Sequence, residues 1–568
     1  MRWGSKNTFN ADEVAALAKA LNINVVLAQL LMQRGVRTYD EAKDFFRPTL
    51  DSLHDPFLMK DMDVAINRIE KAITSKEKVL IYGDYDVDGT TAVALVYTFF
   101  KNYFAETGFY IPDRYTEGYG VSKNGIDWAK ENGFTLIIAL DCGIKAIDKV
   151  DYANQQGIDF IICDHHRPGN VLPAAVAVLD QKREDCNYPY KELSGCGIGF
   201  KLVQAFARHR GISFFEIEHL LDLVAISIAA DIVPVTGENR TLTYFGLRQL
   251  NANKRPGIKA ILEAANYTKE VTVNDIVFTI APRINAAGRM QHGKHAVELL
   301  TSTNAATAKT GSDLLQDKNK RRKEEDEQTT IEAVDLIKQD PNHTTYKSTV
   351  VYQPHWHKGV IGIVASRLID KFFYRPTIVL TNGNGTVSGS ARSVKDFDVY
   401  NAIESCSHLL DQFGGHMYAA GLTMKPENVE PFIAEFEKVV ASTIEPHMLQ
   451  KEIEIDAELN LTEITPNFFN VLKQFAPFGP GNMSPIFKTS LVKDNGKGRV
   501  VGNNHLKLSL TQNGSKPPFD AIAFGFGEHI NPINKGTTFS VCYHIEENYF
   551  NGNTNLQLNV KDLKIEQN

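Results

Sequence analysis

The chain has 568 residues, 43% of them hydrophobic and 23% charged. That balance is globular rather than disordered, and the length is too great for one hydrophobic core, so two to four domains are expected. A formal net charge of −7 argues against a nucleic-acid partner held by overall charge, while leaving open a local basic groove.

Six cysteines, at 142, 163, 186, 196, 406 and 542, form no CxxC and no regular spacing. They read as buried thiols in a reducing cytosol rather than a disulfide framework. The N-terminus lacks the apolar core of a signal peptide. No run approaches the roughly 18 apolar residues of a membrane span. The nearest, "LLDLVAISIAADIV" (220–233), is short and carries two aspartates. A soluble, cytoplasmic protein with no membrane partner is expected.

Residues 1–75 read as short helices, with Gly35 as a stop. Beyond Lys76, the runs "KVLIYGDYD", "GFYIPDR", "FTLIIALD" and "DFIICDHH" alternate with amphipathic stretches at 89–103, 122–132 and 144–157. That alternation predicts an α/β fold, a parallel sheet with helices on both faces. Residues 199–265 read as helical throughout. Residues 303–338 contain no proline and are rich in Lys and Glu, which predicts one long, mostly solvated connecting helix. A second, smaller α/β unit follows over 339–448. Its strands "STVVYQ" and "PTIVLT" flank the helix "GVIGIVASRLIDKFF"; a Gly/Ser turn and further helices near 398–406 and 426–443 come next. From about 450 the pattern becomes short alternating strands with Asn/Gly turns, which suggests an OB-like β-barrel.

Four acidic signals end apolar segments: "GDYDVDG" (83–89), "IALDCG" (138–143), "ICDHHRPG" (162–169) and "AADIVP" (229–234). Functional groups of an open parallel sheet gather at the carboxyl ends of its strands. Asp84, Asp86 and Asp88 are two apart, so a continued strand would put them on one face. Each alone could be a cap or turn residue; four in order, one a tandem Asp-His-His, are hard to explain that way. Crowded carboxylates need compensation, which divalent cations supply. Asp plus His without Cys suits Mn²⁺ or Mg²⁺ better than structural Zn²⁺, and the ligands suffice for two ions. Such a pair binds phosphoryl oxygens, generates hydroxide from water and stabilises the leaving oxygen. His165 and His166 cannot easily point the same way, so one would ligate and the other face the phosphate.

These motifs resemble the DHH phosphoesterase superfamily. "PRINAAGRM" (282–290), "HWHKGVIGIVASRL" (355–368), "SGSARS" (388–393), "FGGHMYAAGLTM" (413–424) and "PFGPGN" (477–482) extend the resemblance, in order, to the RecJ family of single-stranded-DNA-specific exonucleases over nearly the whole chain. The resemblance implies an N-terminal helical segment (1–75), a DHH catalytic domain (76–302), the connecting helix (303–338), a DHH-associated substrate-binding domain (339–448) and an OB-like domain (449–568). It implies 5′→3′ degradation of single-stranded DNA to mononucleotides with two Mn²⁺ or Mg²⁺ ions, in recombination and repair beside a helicase and a single-strand-binding protein. By motif, Asp86, Asp88, Asp141, His165 and Asp231 are the implied metal ligands, Asp141 bridging, with Asp84 a further acidic candidate and His166 at the scissile phosphate. Tyr82 stands where some relatives carry a His, which implies a weaker hold on one ion.

On the substrate side, Gly414, Gly415 and His416 offer close backbone approach and a donor. Ser390 and Arg392, with Arg114, are implied at the 5′ end, and Arg289 at the scissile phosphate. "HWH" has the spacing of a metal pair but no acidic partner in the local sequence. Phe487, Phe524, Tyr543 and Tyr549 would stack bases or form the barrel core. The alternative function is a DHH phosphodiesterase for short oligoribonucleotides or cyclic dinucleotides, whose members generally lack such a tail.

Overall fold

The computed structural model describes residues 1–7, 9–104, 106–290, 292–383, 385–514, 517–550 and 552–566. It contains two compact units. One comprises His54–Val233 and Phe245–Lys451; the other comprises Met1–Leu53, Pro234–Tyr244 and Glu452–Asn568.

In the first unit, strands Lys78–Gly83, Thr107–Tyr110, Phe134–Leu140, Asp159–Cys163 and Ala177–Leu179 form an all-parallel sheet. The second strand lies outside the first, so the spatial order by chain position is 2-1-3-4-5. Strands covered on both faces must be apolar throughout, and Val79–Tyr82 and Leu136–Leu140 are fully buried. One face packs Leu80, Ile137, Phe160 and Ile162 against Ile126, Ala129, Val150 and Ala153 of helices Lys123–Glu131 and Ile147–Gln155. Helices Val87–Phe100 and Gly195–His209 cover the other. Strand order reverses between the first and third strands, where the carboxyl ends open a crevice. Asp84 and Asp141 follow the ends of those two strands.

The expected helical stretch over 199–265 is made of several helices, among them Gly195–His209, Leu221–Ala230, Gly237–Ala252 and Pro256–Ala264. Gly211, at φ 68°, ends the first in a left-handed turn, and Pro256 starts the last. The long helix is present, Ala305–Gln339. It is less solvated than its composition suggests: Ala308, Leu315, Asn319, Arg322, Asp326, Ala333 and Ile337 recur at helical intervals along a buried face.

The second sheet of this unit has the order Gln412–His416, Ala419–Met424, Thr386–Arg392, Thr377–Gly383, Thr349–Tyr352. "SGSARS" therefore lies largely in an inner strand rather than a flexible turn. Gly389 is required there, since a Cβ would come 2.5 Å from Leu380. Helix Ile361–Lys371 packs against this sheet, and Phe432 and Phe436 of Val429–Thr443 join its core.

In the other unit, Phe487–Asp494 pairs with both Phe539–Phe550 and His505–Gln512, closing a ring with Phe519–Ala523 and Asn553–Ile565. Phe487 and Tyr543 are core, whereas Phe524 and Tyr549 are 57% and 74% exposed. Leu27, Leu30 and Leu31 of the N-terminal helices share that core. All six cysteines are free and buried. Among the described residues, no single helix is long and apolar enough to cross a membrane.

Candidate metal and phosphate site

The carboxylates converge because four chain reversals meet at the crevice. The first apolar strand stops at Gly83, so strand geometry does not continue through Asp88. Asp86 is the N-cap of helix Val87–Phe100, accepting the Gly89 N–H at 3.0 Å, which turns the chain. Asp88 lies in the first helical turn. Its carboxylate accepts the N–H groups of Gly195 and Cys196 at 2.7 and 2.8 Å and the Ser227 hydroxyl at 2.6 Å. The start of helix Gly195–His209 thus orients it.

Asp141 adopts a left-handed φ of 58°. Gly195 must be glycine beside it, since a Cβ would lie 2.6 Å from the Asp141 Cβ. Asp231 ends helix Leu221–Ala230, and Ile232 follows at φ 62°, largely exposed. Asp164 ties the third turn together by accepting N–H bonds from Ile144, His165 and His166. Its Oδ1 also lies 2.7 Å from His166 Nδ1. The two histidines consequently diverge. His165 Nε2 lies 3.1 Å from Asp141, 3.6 Å from Asp231 and 3.7 Å from Asp88, while His166 Nε2 is 3.1 Å from the Tyr119 hydroxyl.

Three sets of donor atoms lie within 4.8 Å of one another: Asp84, Asp86 and Asp141; Asp88, His165 and Asp231; and Asp141, His165 and His166. Both Asp84 oxygens, Asp141 Oδ1 and both His165 ring nitrogens are buried without a hydrogen-bond partner. Buried polar atoms are ordinarily satisfied, so these orphans mark where cations fit. Burial, then the neighbouring Asp86, pushes the Asp84 carboxyl well up. Burial and Asp88 raise Asp86 and, more strongly, Asp141. Burial with Asp88 and Asp86 takes Asp231 to about 9, and burial pushes His165 down. Positive charge in the cluster opposes each of the carboxyl shifts and favours the neutral, ligating form of His165. Oxygen donors with one imidazole match Mn²⁺ or Mg²⁺.

A cavity of about 1060 Å³ in the same unit is lined by Arg114, Arg289, Lys358, Ser390, Arg392 and Gly414 among others, and by no carboxylate. Burial and the neighbouring Arg114 depress Arg289 to about 10 and lower Arg392. The structure brings Arg114, Arg289, Ser390, Arg392 and Gly414 to one cavity. Gly415 and His416 do not line this cavity; they lie at the exposed end of an edge strand. Tyr82 is fully buried, and its hydroxyl bonds the Gly120 carbonyl, so it braces a loop. "HWH" gains an acidic partner from the long helix: Glu332 bonds both His355 and Trp356 at 2.9 Å. Sequence reasoning missed Asp164, Ser227, Gly195, Tyr119 and Lys358. Of these, Asp164 carried a signal as the first letter of Asp-His-His, and Lys358 lay within the motif at 355–368.

A parallel sheet that gathers Asp-bearing turns and a His pair at its switch point, beside a cationic cavity, defines a phosphoesterase of the DHH type. Family models agree: the DHH family N-terminal domain matches residues 78–228, the DHHA1 domain 345–442 and the RecJ OB domain 455–562. The chain belongs to the RecJ family. It is 34% identical to the single-stranded-DNA-specific exonuclease RecJ of Bacillus subtilis, covering 100% of this chain and 71% of that protein. It is 33% identical to the Escherichia coli RecJ over 97% of each. The Thermus thermophilus RecJ crystal structure in complex with Mn²⁺ superposes with TM-score 0.85 at 27% identity, covering 100% of this chain and 80% of that one. The Mg²⁺ complex gives 0.79 at 25%, covering 100% and 79%.

Proposed function

We propose that this chain is a metal-dependent, single-stranded-DNA-specific exonuclease that hydrolyses phosphodiester bonds from the 5′ end and releases mononucleotides. The observation that carries the reading is the orphaned Asp84–Asp141–His165 donor set. It occurs in the same unit as a cation-lined, carboxylate-free cavity. The relatives and their Mn²⁺ and Mg²⁺ complexes support the same activity.

Asp86, Asp88, Asp141, His165 and Asp231 would hold two divalent cations, with Asp141 shared and Asp84 completing the set with Asp86 and Asp141. When bound, such ions neutralise phosphate charge and acidify an attacking water. The protein's own groups do the rest. Asp88 stays oriented because two N–H groups and Ser227 hold it. His166, braced through Nδ1 by Asp164, presents Nε2 to the scissile phosphate. Arg289 takes the same phosphate, while Arg114, Ser390 and Arg392 hold the 5′ end. Gly414, Gly415 and His416 would lie along the backbone of the bound strand. The family supports a role in recombination and repair, in the cytoplasm beside a helicase and a single-strand-binding protein.

The test is Mn²⁺-dependent digestion of single-stranded DNA labelled at either end, with a dinucleotide in parallel. A 5′ label should leave first as a mononucleotide while a 3′-labelled strand shortens stepwise. Cleavage of the dinucleotide alone, or loss of the 3′ label first, would sink the proposal.

A further inference from the structure

The second sheet of the catalytic unit has one bare edge. Thr349–Tyr352 ends the strand order and pairs only with Thr377–Gly383, in parallel. Alternate residues of a strand direct their backbone groups to opposite sides. The N–H groups of Thr349 and Gln353 donate to Pro376 and Leu380 at 2.9 and 3.4 Å, so Val350 and Tyr352 turn theirs away from the sheet. Among the described residues neither of those two N–H groups has an acceptor. Edges are ordinarily blunted by a charge, a proline or a bulge. This one reads Thr-Val-Val-Tyr with an unbroken register.

Val350 and Tyr352 line a cavity of about 570 Å³. The end of the connecting helix supplies Leu336 and Asp340 to it, and helix Val429–Thr443 supplies Glu430, Ile433 and Glu437. These helices cover opposite faces of the sheet. Val351 packs with Ala333 and Ile337 of the first, while Val350 and Tyr352 pack with the cluster around Phe432 and Phe436 of the second. The groove is preformed, because the segment leading into the strand is tied down from both sides. Arg375 donates to the carbonyls of His343 and Tyr346 at 2.6 and 2.7 Å. Glu437 accepts the N–H groups of Lys347 and Ser348 at 2.9 and 2.8 Å. The lining is negative: Asp340, Glu430 and Glu437 stand against one cation, Arg375. Glu430 is exposed, and among the described residues it has no ion-pair partner.

We infer that the Thr349–Tyr352 edge is a docking site for a partner protein, which adds a short extended segment, bearing Lys or Arg among apolar residues, as a further strand of this sheet. Backbone pairing with Val350 and Tyr352 supplies the affinity, and the walls supply the choice of side chains. Leu336 and Ile433 take apolar groups, and Asp340 and Glu430 take cations. The edge strand has only four residues, so the segment it accepts is short. A second copy of this chain is a poorer occupant, since a symmetric contact through this edge sets the same carboxylates of both copies against one another. The groove shares no lining residue with the cation-lined cavity and none with the metal cluster, so docking leaves both open.

The experiment measures binding of the full chain to a fluorescent Val-Lys-Val-Lys-Val-Lys peptide and to its Val-Glu counterpart, by anisotropy. Mn²⁺ is present so that the acidic metal cluster does not attract the probe. The lysine peptide should bind saturably and the glutamate peptide about tenfold more weakly or worse. Val350→Pro deletes an N–H that faces outward and no bond of the ladder. It should weaken binding about fivefold, the worth of one net hydrogen bond. Glu430→Lys, an exposed substitution, should weaken it by about threefold to tenfold. Thermal melting confirms that each variant folds, and amide exchange at Val350 and Tyr352 should slow when the lysine peptide is added to wild type. No saturable binding up to about 1 mM, a preference for the glutamate peptide, or unchanged binding in either variant would overturn the proposal. A dimer in sedimentation that Val350→Pro dissolves would overturn it in favour of a second copy.

Discussion

His166 Nδ1 lies 2.7 Å from Asp164 Oδ1, and this contact sets the charge of both groups. Burial alone would raise the Asp164 carboxyl, but the hydrogen bond from His166 and the N–H of Ile144 hold it at about 2. Burial opposes the imidazolium of His166, yet Asp164 raises it to about 9. The histidine's contribution to stability is therefore complete below its ordinary value near 6.5 and lost as pH rises through about 9. Asp164→Asn should bring the His166 pKa down toward that ordinary value, read by imidazole NMR titration of the metal-free protein. It should cost most stability near pH 6 and least above pH 9; a pH-independent loss would show that the pair is not the source.

The carboxylate cluster should destabilise the metal-free protein. Asp141 is pushed well up, first by burial and then by Asp88, Asp86 and Asp231. A carboxyl with a raised folded-state value costs stability as pH climbs above its unfolded value of about 4. Asp141→Asn should thus raise the melting temperature of the EDTA-treated protein, with the gain growing from pH 4 to pH 8. The same variant should lose the Mn²⁺-induced rise in melting temperature expected for wild type. A lower melting temperature in EDTA would overturn this electrostatic account.

Gly195 tests the geometry rather than the charge. A Cβ at this position would meet Asp141 Cβ at 2.6 Å and its backbone at 2.9 Å. Gly195→Ala keeps every acidic group yet must displace Asp141, and ~1 Å of misplacement is worth about 100-fold in rate. Exonuclease turnover at saturating Mn²⁺ should fall by about that factor; near-normal turnover would mean that Asp141 is free to move.

Along the connecting helix, Asp326 is fully buried and its Oδ2 receives Arg367 at 2.5 Å, with Arg322 at 3.9 Å. Arg322 also bonds Asn319 at 2.6 Å. Asp326→Ala leaves two guanidinium groups without their counter-ion, which typically costs about 3–5 kcal/mol. Urea unfolding followed at this unit should show that loss, whereas exposed ion pairs on the same helix, such as Asp317–Arg321, should contribute under about 1 kcal/mol.

Much of this protein was legible in its residues. Two periodicities, two and 3.6, separate the buried parallel strands from their covering helices, because each face must be apolar where it is covered. Asp86, Asp88, Asp141, His165 and Asp231 declared themselves as charge at the ends of apolar runs, a pattern that folding energetics alone disfavours. Ser390 and Arg392 were visible as a small-residue motif around a cation. The packing was not legible. That Asp86 caps a helix, rather than extending a strand, depends on where Gly89 and Gly195 allow close approach. That the long helix buries Asp326, or that Glu332 pairs with His355, depends on neighbours distant in sequence. The N-terminal helices sharing one core with the C-terminal barrel is equally nonlocal. Lys358 lies within "HWHKGVIGIVASRL" but did not stand out there, since one lysine in a turn is ordinary until three arginines line the same cavity. The sequence by itself determined the chemistry, through residue types and local spacing. Only the tertiary structure decided which charges meet, because that follows from chain reversals and close contacts between segments far apart along the chain.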